Sequence, residues 1–186
     1  MTMRRIAWHE ASHAVAARVQ GLEVVSVIMF RTAESTPAST LSRSAAYDAK
    51  RDTASLVAAL EADIRVALAG PVGDALYSKG RSLSRKMRDG ATEDIATSQS
   101  QAIRVALLLA GEHVPEPRPG ERVEIEVEPT IVESANVILR RLYEETEALL
   151  TEHRAAVERV ALVLMSRPVL YADELDKLID AGVNKR

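Results

Sequence analysis

The run His9-Glu10-Ala11-Ser12-His13 constrains this chain more than any other stretch. Residues four apart share one face of a helix, so both imidazoles reach a common point only if the segment is helical. Glu10 then stands beside that point. The flanking residues agree with a helix from Met3 to Gln20, with Ile6, Ala7, Trp8, Ala11, Ala14, Val15, Ala16, Ala17 and Val19 lining it nearly all round. A helix with so little polar surface is expected to be buried, and Gly21 is placed to cap its C-terminus. The histidines should therefore line an internal cleft. Two imidazoles on one face with a carboxylate beside them are the parts of a metal site that holds and deprotonates a water.

The remaining composition narrows the ligands and the partners. There is no cysteine, which excludes disulfides and thiolate ligands and leaves His and carboxylates as the strong donors. A net charge of -3 and an aromatic content of 3% give neither the basic surface nor the stacking platforms that nucleic acid needs. No apolar run reaches the ~18 residues of a membrane span. His9, Glu10, His13 and Arg18 interrupt the N-terminal Ala/Val stretch, so it lacks the apolar centre of a signal peptide. The expectation is a soluble, cytoplasmic protein. At 186 residues the chain is long enough for one domain, residues 1–186, with a substantial core.

Hydrophobic period and punctuation divide the rest into mainly helical elements. Leu22 to Arg31 is β-branched and follows a helix stop, which predicts a strand in a small sheet. Thr32 to Ala46, rich in Ser, Thr and Ala, is expected as a loop or an irregular edge segment, with a second short strand over Ser44 to Ala49. Leu56, Val57, Leu60, Ile64 and Leu68 predict a helix from Thr53 to Ser78, kinked or broken at Gly70-Pro71. Lys79 to Gly90 is a basic, Gly/Ser-punctuated loop, and Arg85, Lys86 and Arg88 in it are expected to be solvated. A helix follows from Ala91 or Thr92 to about Ala110, capped by Thr92 or Asp89 and ended by Gly111. Pro115, Pro117, Pro119 and Gly120 mark a loop, and the alternation Val123 to Val127 predicts an exposed strand. Helices are then expected from Pro129 to Thr151, Glu152 to Arg167 and Ala172 to Asp180.

The spacing His9-Glu10-x-x-His13 is the H-E-x-x-H signature of zinc-dependent peptidases. Catalytic zinc takes three protein ligands and a water, so a third ligand is needed. His113 lies in the Pro-rich loop and His153 among charged residues at a helix junction. Both read more simply as surface residues. Asp94 is the better candidate, because it sits in the first turn of a helix, where the macrodipole favours an ionised carboxylate, and Gly90 precedes it. Its rival role is that of an ordinary first-turn acid. Trp8 is expected in the core or the cleft wall. Ser12 is close to the histidines, but as a nucleophile it would need a base and an orienting acid of its own.

Several of these segments together resemble the peptidase domain of the FtsH family of ATP-dependent zinc metalloproteases. His9-Glu10-Ala11-Ser12-His13-Ala14 is followed by the predicted strand, as in the family. Leu68-Ala69-Gly70-Pro71-Val72-Gly73-Asp74-Ala75-Leu76 resembles its Leu-Ala-Gly-Arg-Ala-Ala-Glu-Glu-Leu helix, and Gly90-Ala91-Thr92-Glu93-Asp94-Ile95 its Gly-Ala-Ser-Asn-Asp-Leu segment. The C-terminal Leu149-Leu150, His153-Arg154, Val157-Glu158, Leu162, Leu170 and Glu174-Leu175 match the family's closing helices in spacing. The resemblance implies a mainly α (α+β), helical zincin-like peptidase domain with a small β-sheet next to the H-E-x-x-H helix. It implies zinc as cofactor, His9, His13 and Asp94 as metal ligands, and Glu10 as general base.

The chain departs from the family at Ser12, where Gly is usual, and at Pro71. It contains no Walker-type phosphate loop. The function expected is that of a stand-alone metalloendopeptidase acting on unfolded or peptide substrates, with the strand at Val24 to Arg31 offering an edge for an extended chain. A separate AAA ATPase is a candidate partner, and a homo-oligomer is open. The rival expectations are a catalytically inactive zinc- or peptide-binding module of the same fold and an oligomeric adaptor for an ATPase.

Overall fold

The computed structural model describes residues 3–30, 38–42, 52–78, 92–112 and 127–180. Among them are helices α1 (Met3–Val19), α2 (Thr53–Tyr77), α3 (Thr92–Leu109), α4 (Pro129–Glu152), α5 (Arg154–Ser166) and α6 (Ala172–Asp180), and strands β1 (Val24–Met29), β2 (Ala38–Ser42) and β3 (Val169–Tyr171). The protein is mainly helical, with one three-stranded antiparallel sheet in the order β2-β1-β3.

Local chemistry explains the boundaries. Gly21 and Gly111 both adopt φ 77°, the left-handed conformation that glycine takes without penalty. At each, the following residue's N–H reaches back to close the helix: Leu22 to the Ala17 carbonyl at 3.0 Å, and Glu112 to the Leu107 carbonyl at 2.9 Å. Asp52 caps α2 by accepting from the Ser55 N–H at 2.9 Å. Pro129 opens α4, where its missing N–H costs nothing.

Three expectations are corrected. Helix α2 runs through Gly70-Pro71 without a break. Every residue from Leu68 to Asp74 is buried, so packing on both sides of Pro71 holds the helix through the one bond the proline cannot make. The stretch expected as a loop or an irregular edge segment holds the regular edge strand β2, because its alternating half-buried Ala38, Thr40 and Ser42 find a partner in β1. Strand β1 is the centre of the sheet. It pairs with β2 on one side (Val27 opposite Thr40) and β3 on the other (Val27 opposite Leu170), so it has no open edge. The expected strands at Ser44 to Ala49 and Val123 to Val127, and the loops over 79–90 and 112–122, lie wholly or mostly outside the described residues.

The core has two parts. In one, α1 packs against β1, β3, α5 and α6, with Ala7, Ala14, Val15, Val27, Val160, Leu164 and Leu170 buried. In the other, Leu60, Ile64 and Leu68 of α2 meet Ala102 and Val105 of α3 and Ile138 and Leu142 of α4. Helix α2 belongs to both, since its Ala69 and Val72 pack into the first part. Among the described residues no helix is long and apolar enough to cross a membrane.

Candidate metal centre

Where α1, α2 and α3 meet, an open cleft of about 450 Å³ has His9, Glu10, His13 and Asp94 in its wall, with Ala38, Ser39, Thr40 and Ser42 of β2 opposite. The helical register of α1 brings His9 and His13 onto one face, with their Nε2 atoms 3.2 Å apart. Asp94, 85 residues after His9, enters from the first turn of α3. Its Oδ2 lies 3.0 Å from His9 Nε2 and 3.6 Å from His13 Nε2. Among the described residues these three side chains form the group able to hold a metal ion.

Each imidazole is oriented by a bond from its other nitrogen. His13 Nδ1 stands 2.7 Å from the Val66 carbonyl of α2, which can only accept, so Nδ1 donates to it and Nε2 faces the cleft. His9 Nδ1 stands 3.3 Å from Asp74 Oδ2 and donates to it. Asp74 is fully buried, and Arg5, one turn before His9, binds both of its oxygens at 3.1 and 3.0 Å. That guanidinium balances a carboxylate that would otherwise be costly to bury. The chain Arg5-Asp74-His9 fixes the ring that faces His13 and Asp94.

Glycine makes the room. A Cβ on Gly70 would collide with Nε2 of both histidines, and one on Gly73 would collide with the Ser12 hydroxyl. The missing side chains let α2 approach α1 closely and leave the space beside both donor nitrogens clear.

The charged groups of the cleft shift one another. Burial opposes a charged His9, but its bonds to Asp74 and Asp94 outweigh burial and push its pKa up to about 10. Burial likewise raises the Asp94 carboxyl, but the contacts with His13 and His9 overcome this and hold it well below the usual carboxylate range. Asp74 is held down too, by His9 and Arg5 against its own burial. The two carboxylates thus hold a proton on His9 against its burial.

Donors about 2.0–2.1 Å from a tetrahedral zinc stand about 3.3 Å from one another. The observed separations of 3.0, 3.2 and 3.6 Å bracket that value. The donor set, its spacing and the cradle at Gly70 therefore fit such an ion. Glu10 is adjacent, buried, and bonded at Oε2 by the Thr40 hydroxyl at 2.8 Å.

All four expected site residues come together. His153 does not join them; it is the junction between α4 and α5. His113, Arg85, Lys86, Arg88 and Gly90 lie outside the described residues. The Ser12 hydroxyl donates to the Trp8 carbonyl at 2.7 Å, a structural bond within α1. Sequence reading missed the roles of Arg5, Thr40 and Asp74. Asp74 carried a signal, as the one charge in the apolar run Leu68 to Leu76. No family model and no curated protein matches the chain.

Proposed function

We propose that the protein is a zinc-dependent metallopeptidase, a relative of the FtsH-family peptidase domain with a zincin-like site, which hydrolyses peptide bonds of unfolded or peptide substrates. What carries the reading is the convergence of His9, His13 and Asp94 donor atoms beside Glu10 in an open cleft. His9, His13 and Asp94 would hold the ion. When bound, zinc supplies Lewis-acid chemistry, acidifying a water and polarising the scissile carbonyl.

Glu10 takes a proton from the attacking water as its oxygen bonds to the carbonyl carbon. It returns that proton to the amine as the C–N bond breaks. Two histidines and a carboxylate also suit iron(II); the buried carboxylate of Glu10 beside them is what favours hydrolysis. An extended substrate would pair with β2, which is the edge strand and lines the cleft, in place of β1. Among the described residues nothing pairs with the outer edge of β2. A separate AAA ATPase is the partner proposed for unfolding the substrate.

Glu10→Gln tests the assignment. The variant should bind zinc as the wild type does and lose cleavage of an unfolded casein-type substrate by about 10²-fold or more. Full activity in that variant contradicts the role given to Glu10. A wild-type protein that binds zinc and cleaves nothing favours the inactive binding module.

A further inference from the structure

Strand β2 packs beside the H-E-x-x-H helix, and Thr40 hydrogen-bonds to it. Thr40 Oγ1 lies 2.8 Å from Glu10 Oε2 and 3.0 Å from the Glu10 carbonyl oxygen. Thr40 is the middle residue of β2, turned inward with Ala38 and Ser42 while Ser39 and Leu41 face out. Its χ1 is restricted by β-branching, so the hydroxyl is held in place. Both Glu10 oxygens accept, so this hydroxyl donates to one or the other. Among the described residues no hydrogen bond reaches Glu10 Oε1.

We propose that Thr40 is a positioning residue for the general base, fixing the Glu10 carboxylate through Oε2 so that Oε1 faces the attacking water. The proposal rests on the peptidase reading above and extends it. A glutamate side chain has three rotatable bonds, and a carboxylate held at one oxygen loses most of that freedom before substrate arrives. Geometry of this kind matters steeply, since a base misplaced by about 1 Å costs on the order of 10²-fold. The same strand carries the open edge proposed for substrate. The element that would receive the substrate therefore also aims the base, and pairing along β2 would stiffen the strand that holds Glu10.

Two substitutions separate the hydroxyl from the shape. Thr40→Val keeps the branched outline and removes the donor; Thr40→Ser keeps the donor and removes the methyl. With zinc-loaded protein and an unfolded casein-type substrate, Thr40→Val should lower kcat by about ten- to a hundredfold with KM and zinc stoichiometry unchanged. Thr40→Ser should stay within about threefold of wild type. Crystal structures of the metal-free proteins give a readout independent of activity. Glu10 should leave its position, or occupy several, in Thr40→Val and keep one position in wild type and Thr40→Ser. A wild-type kcat in Thr40→Val, equal impairment of the two variants, or an unmoved Glu10 in Thr40→Val overturns the proposal. A zinc-loaded wild type that cleaves nothing overturns the peptidase reading instead, and the crystallographic arm then still decides whether Thr40 holds Glu10.

Discussion

One face of α2 packs Leu60, Ile64 and Leu68 against α3 and α4, while the next turns of the same helix set Ala69, Gly70, Val72, Gly73 and Asp74 toward α1. The first face is filled by large aliphatic side chains and holds the helices together by burial. The second uses the smallest residues available, and the space they leave admits two imidazoles and a buried ion pair. Large side chains at the second face would bury more apolar area, but they would fill the position toward which the donors point. The contrast separates stability from geometry along a single helix, and substitutions on its two faces should fail in different ways.

Gly70→Val should produce the largest effect. Its side chain would occupy the space beside both Nε2 atoms, so stoichiometric zinc binding should disappear, as read by calorimetric titration. Wild-type affinity in that variant would remove Gly70 from the account. Leu142→Ala, in the other core, should do the reverse. Leu142 is fully buried, and its truncation should cost about 2–5 kcal/mol in denaturant unfolding while zinc stoichiometry stays at wild type. Asp74→Asn should come next. It keeps the shape of the His9 partner but weakens its hold, and zinc affinity should fall about 10–100-fold with a smaller change in ligand geometry.

The smallest effect concerns pH. His9 has an ordinary value of 6.5 and a folded value of about 10 in the metal-free protein. Its bound proton therefore stabilises the fold fully below pH about 6.5, and that contribution is lost as pH rises toward 10. Asp74 and Asp94 are shifted down from 3.8, so their contributions are present above that value and lost in stronger acid. Metal-free protein should melt highest between about pH 4 and 6.5 and lower at pH 9.5. Zinc-loaded protein should instead lose stability on acidification below neutrality, because protons compete with the metal for the imidazoles. Identical pH profiles for the two forms would break the link between the proton and the metal position.

The legible part of the molecule was the part written in local periods. The spacing of His9 and His13 on a helix is a local rule, and so are the glycine stops at Gly21 and Gly111 and the proline start at Pro129. Asp94 was legible from its place in a helix's first turn. The rest depends on contacts between distant segments. Pro71 argues locally for a break, yet burial of its neighbours on α1 overrides it. Residues 38–42 have little strand propensity of their own, and β2 exists because β1 stands beside it; β3 is three residues long and is held the same way. Because β3 leaves so short a local signal, the sequence points to β1 as the edge, and the sheet encloses it. Arg5 and Asp74 stand 69 residues apart on different helices, and only the fold reveals that they serve His9.

X-ray absorption at the zinc edge of the loaded protein tests the central claim most directly. The account predicts one zinc per chain with two imidazole nitrogens at about 2.0–2.1 Å, one carboxylate oxygen at about 2.0–2.2 Å and one further light-atom ligand. The imidazole signal should be halved in Gln or Ala variants of His9 or His13. A protein that binds no zinc, or whose zinc spectrum is unchanged when His9, His13 and Asp94 are replaced, would contradict it.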